Sequence, residues 1–317
     1  MANFTSLADD DVEALSAEFS LGALQRWQSI SAGTINSNFR LETNRGIFFL
    51  RVNEGKSIEN VELEIAVLSH LVANRVVTPM PRLATSGKRY AMWKGKPVSV
   101  FQWIPGGHVD SQSITDANCL SVGRRLAELH QAGEGLSREQ LGEGRYSHRK
   151  IVELYASFAD SSDPALAETI DLLGKELDWL DSQAELRAKA NTGLIHADLF
   201  PDNCLVEGNE VVALLDFEQA CFGSRVYDLA VTINAWCFAD ALVATRVSAL
   251  IGGYLASGRL SEADRRALPV ELRAAALRFT VTRITDIYLA GQGGAGKDFR
   301  RFQMRLKSWQ ALAPAAQ

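Results

Sequence analysis

Two short segments hold residues whose types and spacing suit chemistry: HADLFPDN at 196–203 and LLDFE at 214–218. Asp198 and Asn203 stand five positions apart in a loop broken by Pro201, and Asp216 ends the apolar run VVALLD, which reads as a buried strand. One amide and one carboxylate suit hard magnesium, which takes few ligands from a protein and the rest from phosphate and water. A further carboxylate that orients an acceptor hydroxyl completes the needs of phosphoryl transfer from ATP. Taken alone, a D-x-x-x-x-N pattern usually caps backbone groups in a turn. An HxDxxxxN loop followed by an apolar strand ending in DFE fixes several positions in order, and that combination favours the catalytic reading.

The elements that must position these residues fall into two stretches. A helix at 9–18 is expected to precede a strand meander over 24–52, in which NFRLET and GIFFLRV alternate most clearly. Residues 57–74 switch to helical spacing, with Val61, Ile65 and Leu68 on one face. Extended segments return at RYAMWKG and PVSVFQWI and end at Pro105, Gly106 and Gly107. Helices are expected at 116–132, about 164–189, 226–256 in two pieces, 261–290 and 298–312, with short strands across 193–217. A β-rich front and a helical remainder argue for two unequal lobes with a ligand cleft, 1–103 and 104–317.

The bulk properties exclude several partners. The 317 residues are 47% hydrophobic, enough for a substantial core, and the net charge of −5 comes without a basic run. Nothing neutralises a nucleic-acid backbone or an anionic membrane. MANFTSLADDDVEALS lacks the lysines and apolar core of a secretory signal, so a cytoplasmic location is expected. Cys119, Cys204, Cys221 and Cys237 show no CxxC spacing and read as buried thiols.

On the two motifs the chain resembles the aminoglycoside phosphotransferase-like family, the small-molecule relatives of protein kinases, over nearly its whole length. The resemblance implies an α+β fold of the protein-kinase-like bilobal type, with a β-rich N-terminal lobe and a mainly helical C-terminal lobe. It implies that Asp198 is the catalytic base or hydroxyl-orienting residue, that His196 is a structural member of the catalytic loop, and that Asn203 and Asp216 hold Mg²⁺. Asp228 in VYDLA matches the family's Asp-Leu-Ala helix start, whose carboxylate supports that loop. Such an acid also favours a helix N-terminus by roughly 0.3–1 kcal/mol. Arg51 in FFLRV and Glu64 in the next helix resemble the family's strand cation and helix acid, which fix the α- and β-phosphates. As a bare surface pair they would contribute roughly 0–1 kcal/mol.

For the rest of the nucleotide, SAGTINSNFR at 31–40 is expected to be a turn in which Gly33, Asn36 and Ser37 let backbone N–H groups approach phosphate, with a plain hairpin as the alternative. The backbone of Gln102 to Ile104 would meet adenine. GQGGAGK at 291–297 has the letters of a phosphate-binding loop, but a helical run precedes it and Asp298 follows where Ser or Thr would hold magnesium. It reads as a connector between helices. His130 in LAELH reads as a core or capping residue.

Within the family, NSNF at 36–39, HADLFPDN and ACFGSRVYDLAVTINAWCF at 220–238 look most like homoserine kinases of this fold, which implies L-homoserine as acceptor and a place in threonine biosynthesis. An amino-acid zwitterion needs an acid for its ammonium and an Arg fork for its carboxylate. Glu218 and Asp202 are the candidates for the first, and Arg283 for the second. Arg51 and Glu218 look more like the wider family, which keeps an aminoglycoside, choline or sugar derivative open. A catalytically silent nucleotide-binding module is the reading from another class, and the presence of Asp198, Asn203 and Asp216 together argues against it.

Overall fold

The computed structural model describes residues 5–30, 36–291 and 297–312. The chain divides into two units: Met1–Gly106 with Ala213–Glu218, and Gly107–Val212 with Gln219–Gln317.

The first unit follows α1 (Asp9–Glu18) with β1 (Leu24–Ile30), β2 (Ser37–Thr43), β3 (Gly46–Val52), α2 (Ile58–Ala73), β4 (Ala91–Trp93) and β5 (Lys96–Gln102). The strands form one antiparallel sheet in the order β1-β2-β3-β5-β4. Alternation along SNFRLET and GIFFLRV places Phe39, Leu41, Phe48, Leu50 and Val52 on one face, where Val12 and Leu15 of α1 cover them. Each such side chain contributes about 1.5–3 kcal/mol when fully buried. Arg51 lies between Leu50 and Val52, so the same alternation turns it to the other face. Ser57 caps α2 by accepting from the Asn60 N–H at 3.3 Å. The distant segment Ala213–Glu218 joins this unit partly through the Leu214 N–H, which donates to the Val77 carbonyl at 2.7 Å.

The second unit is mainly helical. It runs through α3 (Asp116–Ala132), α4 (Arg138–Leu141), α5 (His148–Ala156), α6 (Ala167–Ser182), α7 (Ala184–Arg187), β6 (Thr192–Ile195), β7 (Cys204–Glu207), β8 (Glu210–Leu214), β9 (Cys221–Ser224), α8 (Arg225–Trp236), α9 (Ala244–Ser257), α10 (Glu262–Arg283) and α11 (Arg300–Leu312). Only the last two residues of β8 belong to the first unit. β6 pairs antiparallel with β9, and β7 with β8.

Helices α3 and α9 meet backbone to backbone. A Cβ on Gly253 would stand 1.9 Å from the Leu120 carbonyl oxygen, and one on Gly123 would stand 2.1 Å from that of Leu250. Helix α10 starts with a reciprocal cap in which the Ser261 Oγ accepts from the Asp264 N–H at 3.1 Å and the Asp264 carboxylate accepts from the Ser261 N–H at 2.9 Å. It buries Ala275, Ala276, Leu277 and Val281 and runs into a π-type turn at Ile284–Tyr288.

Several expectations shift. The helix expected at about 164–189 breaks at Gln183, the one expected at 261–290 leaves α-helical geometry after Arg283, and α4, α5 and β9 appear where none was anticipated. Of the connector 291–297, Gln292–Gly296 lie outside the described residues. All four cysteines are buried and unbridged. No helix among the described residues is long and apolar enough to cross a membrane.

Candidate active site

In the second unit the loop that carries Asp198 hangs on one buried carboxylate. The chain leaves β6 at Ile195 and passes through His196 and Ala197 to Asp198. Asp228, wholly buried near the start of α8, accepts from the His196 N–H at 2.7 Å and the Ala197 N–H at 2.8 Å. His130 lies 3.1 Å away through Nε2, and its Nδ1 is 2.8 Å from the Tyr254 hydroxyl. Burial pushes the Asp228 pKa up, yet the His130 hydrogen bond, the His130 and His196 charges and the His196 amide outweigh it and hold the carboxyl below its usual range. The two amide bonds also hold Ala197 at φ 64°, a left-handed conformation costly for a residue with a Cβ. His130, set aside as a core residue, is part of this support.

Asp198 follows directly. Its carbonyl accepts from the Phe200 N–H at 2.8 Å and from Asn203 Nδ2 at 2.8 Å, and the Trp236 indole N–H holds the Leu199 carbonyl at 3.0 Å. Because Asn203 spends its NH₂ on Asp198, its Oδ1 points elsewhere and takes no hydrogen bond among the described residues. Asp198 Oδ1 lies 3.5 Å from Arg278 Nη1 on α10. Burial raises the Asp198 pKa, partly offset by the charges of Arg278 and His196. Arg278 was not among the expected site residues.

In the first unit a second cluster forms around Arg51. Its Nη1 lies 3.0 Å from Glu64 and its Nη2 4.0 Å from Asp216 Oδ1. Lys56, also unforeseen, lies 3.1 Å from Glu64 and 2.9 Å from Glu218. Two cations thus face the three carboxylates Glu64, Asp216 and Glu218. Asp216 sits at φ 61°, and its Oδ1 is buried without a hydrogen bond. Burial pushes its pKa up to about 6; Arg51 opposes the rise, while Glu218 and Glu64 add to it. A surplus negative charge and an unsatisfied carboxylate oxygen fit a divalent cation.

The other expected residues are placed as follows. Asn36 accepts from the Glu54 N–H at 3.2 Å and donates to Glu218 at 3.4 Å. Ser37 accepts from the Thr5 N–H at 2.8 Å and donates to Glu54 at 2.7 Å, so both side chains are engaged within the unit. Gly33 lies outside the described residues. Gln102 ends β5 with its side chain on the Ile47 carbonyl at 3.0 Å, the Trp103 N–H donates to the same carbonyl, and Ile104 follows. Arg283 stacks over Phe302, 4.5 Å from the ring centre, and its pKa is lowered to about 10 by burial and by Arg301, with Asp198 and Asp202 pulling it back up. Asp202 is exposed.

A cavity of about 310 Å³ opens in the second unit beside Ala197. Arg138, Arg145, Arg187 and Arg278 line it against Glu143 and Glu271. Arg283, Asp202 and Glu218 do not line it.

The pattern of the phosphotransferase enzyme family matches residues 26–268. A homoserine kinase of Phenylobacterium zucineum is 36% identical over 305 residues, covering 94% of this chain and 91% of that one. A homoserine kinase of Nitrobacter winogradskyi is 34% identical over 290 residues, covering 90% and 87%. Among solved structures, the amicoumacin kinase hAmiN superposes with a TM-score of 0.73 at 14% identity, covering 96% of this chain and 94% of that one, which supports the kinase-like fold. The chain is a member of the phosphotransferase enzyme family, a small-molecule kinase with a kinase-like fold.

Proposed function

We propose that this enzyme transfers the γ-phosphoryl group of ATP to the side-chain hydroxyl of L-homoserine, in the cytoplasm, as a step towards threonine. The observation that carries the reading is the surroundings of Asp198. A carboxylate whose pKa is raised by burial, with the charge of Arg278 partly opposing the rise, sits next to Ala197, which lines a cavity with more cations than acids. Polycationic acceptors suit acidic pockets, whereas an amino acid presents a carboxylate. The homoserine kinases of Phenylobacterium zucineum and Nitrobacter winogradskyi, matched over most of their lengths, support the same acceptor.

Asp198 orients the acceptor hydroxyl and takes its proton as the bond to phosphorus forms. With a loose transition state most of the acceleration comes from this alignment and from charge neutralisation. Arg51, fixed by Glu64, binds the α- and β-phosphates, and the backbone of Gln102 to Ile104 meets adenine. Asp216 and Asn203 would supply the oxygen donors for Mg²⁺, each with an oxygen that accepts no hydrogen bond among the described residues. Magnesium, when bound, neutralises the phosphate oxygens as charge moves among them. Asp228 keeps the catalytic loop in its strained conformation.

Release of ADP with L-homoserine, set against aminoglycosides, choline and sugars, tests the acceptor. Magnesium-dependent turnover with L-homoserine at least tenfold above the others is expected. Background rates with homoserine alongside turnover of choline or an aminoglycoside would reject it.

A further inference from the structure

The cavity beside Ala197 has an uneven charge balance. Arg187 grips Glu271 through two hydrogen bonds of 3.1 and 3.0 Å, and Arg138 lies 2.9 Å from Glu143, so these pairs neutralise themselves. Arg145 and Arg278 remain. Arg145 has no carboxylate partner among the described residues, and Arg278 faces only Asp198, at 3.5 Å. Both guanidinium groups lie against Tyr146, at 5.3 Å and 4.6 Å from its ring centre, and Arg278 also stacks on Phe279 at 3.7 Å. Tyr146 is itself held by Asp286 at 2.9 Å.

Arg278 is the better placed of the two. Only 7% of its side chain is exposed, and its Nη1 is buried without a hydrogen bond. Aromatic rings on its faces leave the edge of the fork as the direction for polar partners. A buried guanidinium with an unused donor is costly until an anion meets it. The Asp198 carboxylate alone does not satisfy it, since the donor and acceptor stand too far apart and too poorly aligned to count as a hydrogen bond.

We infer that Arg278, assisted by Arg145, is the receptor for the acceptor's carboxylate and so sets the enzyme's specificity for an amino-acid alcohol. The inference rests on the proposed homoserine acceptor and deepens it. In extended homoserine the carboxylate carbon and the hydroxyl oxygen stand roughly 5 Å apart, from bond lengths of about 1.5 Å. A carboxylate on the fork of Arg278 therefore leaves the hydroxyl within reach of Asp198. One arginine thus measures the substrate, contacting the hydroxyl-orienting residue on one side and the anion on the other. Arg283 is five residues further along the same helix, about 140° around its axis, and does not line this cavity.

The test compares L-homoserine with 3-aminopropan-1-ol, which keeps the amine and the hydroxyl and lacks the carboxylate. The wild-type enzyme should favour L-homoserine by at least about 100-fold in kcat/KM, the scale of losing a charged hydrogen-bonded pair. Arg278→Gln should cut that ratio below about tenfold, Arg278→Lys should restore part of it, and the exposed Arg145→Gln should lower it about threefold to tenfold. Using the ratio cancels any effect that Arg278 has on Asp198 alone, and Arg145→Gln carries the test if Arg278→Gln fails to fold. A ratio unchanged in both glutamine variants, with wild-type enzyme active on homoserine, overturns the inference and leaves the homoserine reading standing. No wild-type turnover of homoserine overturns both.

Discussion

Asp228 and Asp216 are both buried carboxylates, and their surroundings push them in opposite directions. Asp228 receives two amide donors and His130, and is held ionised. Removing it strands those partners, so Asp228→Ala should cost about 3–5 kcal/mol of stability, measured by chemical denaturation. Asp216 gains little from folding. Its pKa is raised to about 6, so between roughly pH 4 and pH 6 the folded protein holds a proton that the unfolded chain has released, and ionisation above that window weakens the fold. Asp216→Asn should therefore leave the melting temperature at pH 7.5 no lower than wild type while reducing phosphoryl transfer by more than about 1,000-fold. A lowered melting temperature would show that the charge is structural. The roles proposed for Asp198, Asn203 and Asp216 rest on motif order. The placement of Arg278 at the cavity was not expected, because RFTVTR offers two arginines and only the rotation of α10 decides which enters it.

At the scale of elements, the closest joint is between α3 and α9. Gly123 and Gly253 each meet a carbonyl oxygen of the opposite helix, so Gly253→Ala must force the helices apart. A loss of about 2–3 kcal/mol is expected, whereas alanine at Gly252 of the same helix, which meets nothing, should stabilise by about 0.5–1 kcal/mol. Helix α10 is tied down at its start, where Asp264 caps Ser261 and also accepts from the Asn191 backbone at 2.8 Å and side chain at 2.7 Å. Long periodic helices such as Ile58–Ala73 and Asp116–Ala132 were readable within a residue or two, since their apolar stripes repeat over several turns. Helices α4 and α5 were not, because four and nine residues are too short for an apolar stripe to declare itself. Those two short helices nevertheless bring Arg138, His148 and Ile151 to the cavity.

Across the whole molecule, acid sensitivity should follow the depressed carboxyls. Asp228 and Asp264 both keep pKa values below the ordinary carboxylate range, so below about pH 4 the unfolded chain takes up protons that the folded state refuses. The contribution of these two groups should be level above about pH 5 and fall as the solution is acidified through their folded values, while Asp216 acts in the opposite sense between roughly pH 4 and pH 6. Asp264→Asn should flatten that fall when urea midpoints are compared at pH 7, 5, 4 and 3. The two-part organisation was readable from a β-rich front and a helical remainder. The return of Ala213–Glu218 to the first unit was not, because it depends on a long-range hydrogen bond to Val77 and on the charges of Arg51 and Lys56, which no local pattern records.

The central claim is that the hydroxyl of an amino acid receives the phosphoryl group. Incubating the enzyme with ATP, Mg²⁺ and L-homoserine, and following the products by ³¹P NMR and mass spectrometry, tests it directly. The expected result is O-phospho-L-homoserine formed in equal amount to ADP, lost on removal of magnesium and in Asp198→Asn. Formation of ADP and inorganic phosphate with homoserine unmodified would contradict the account.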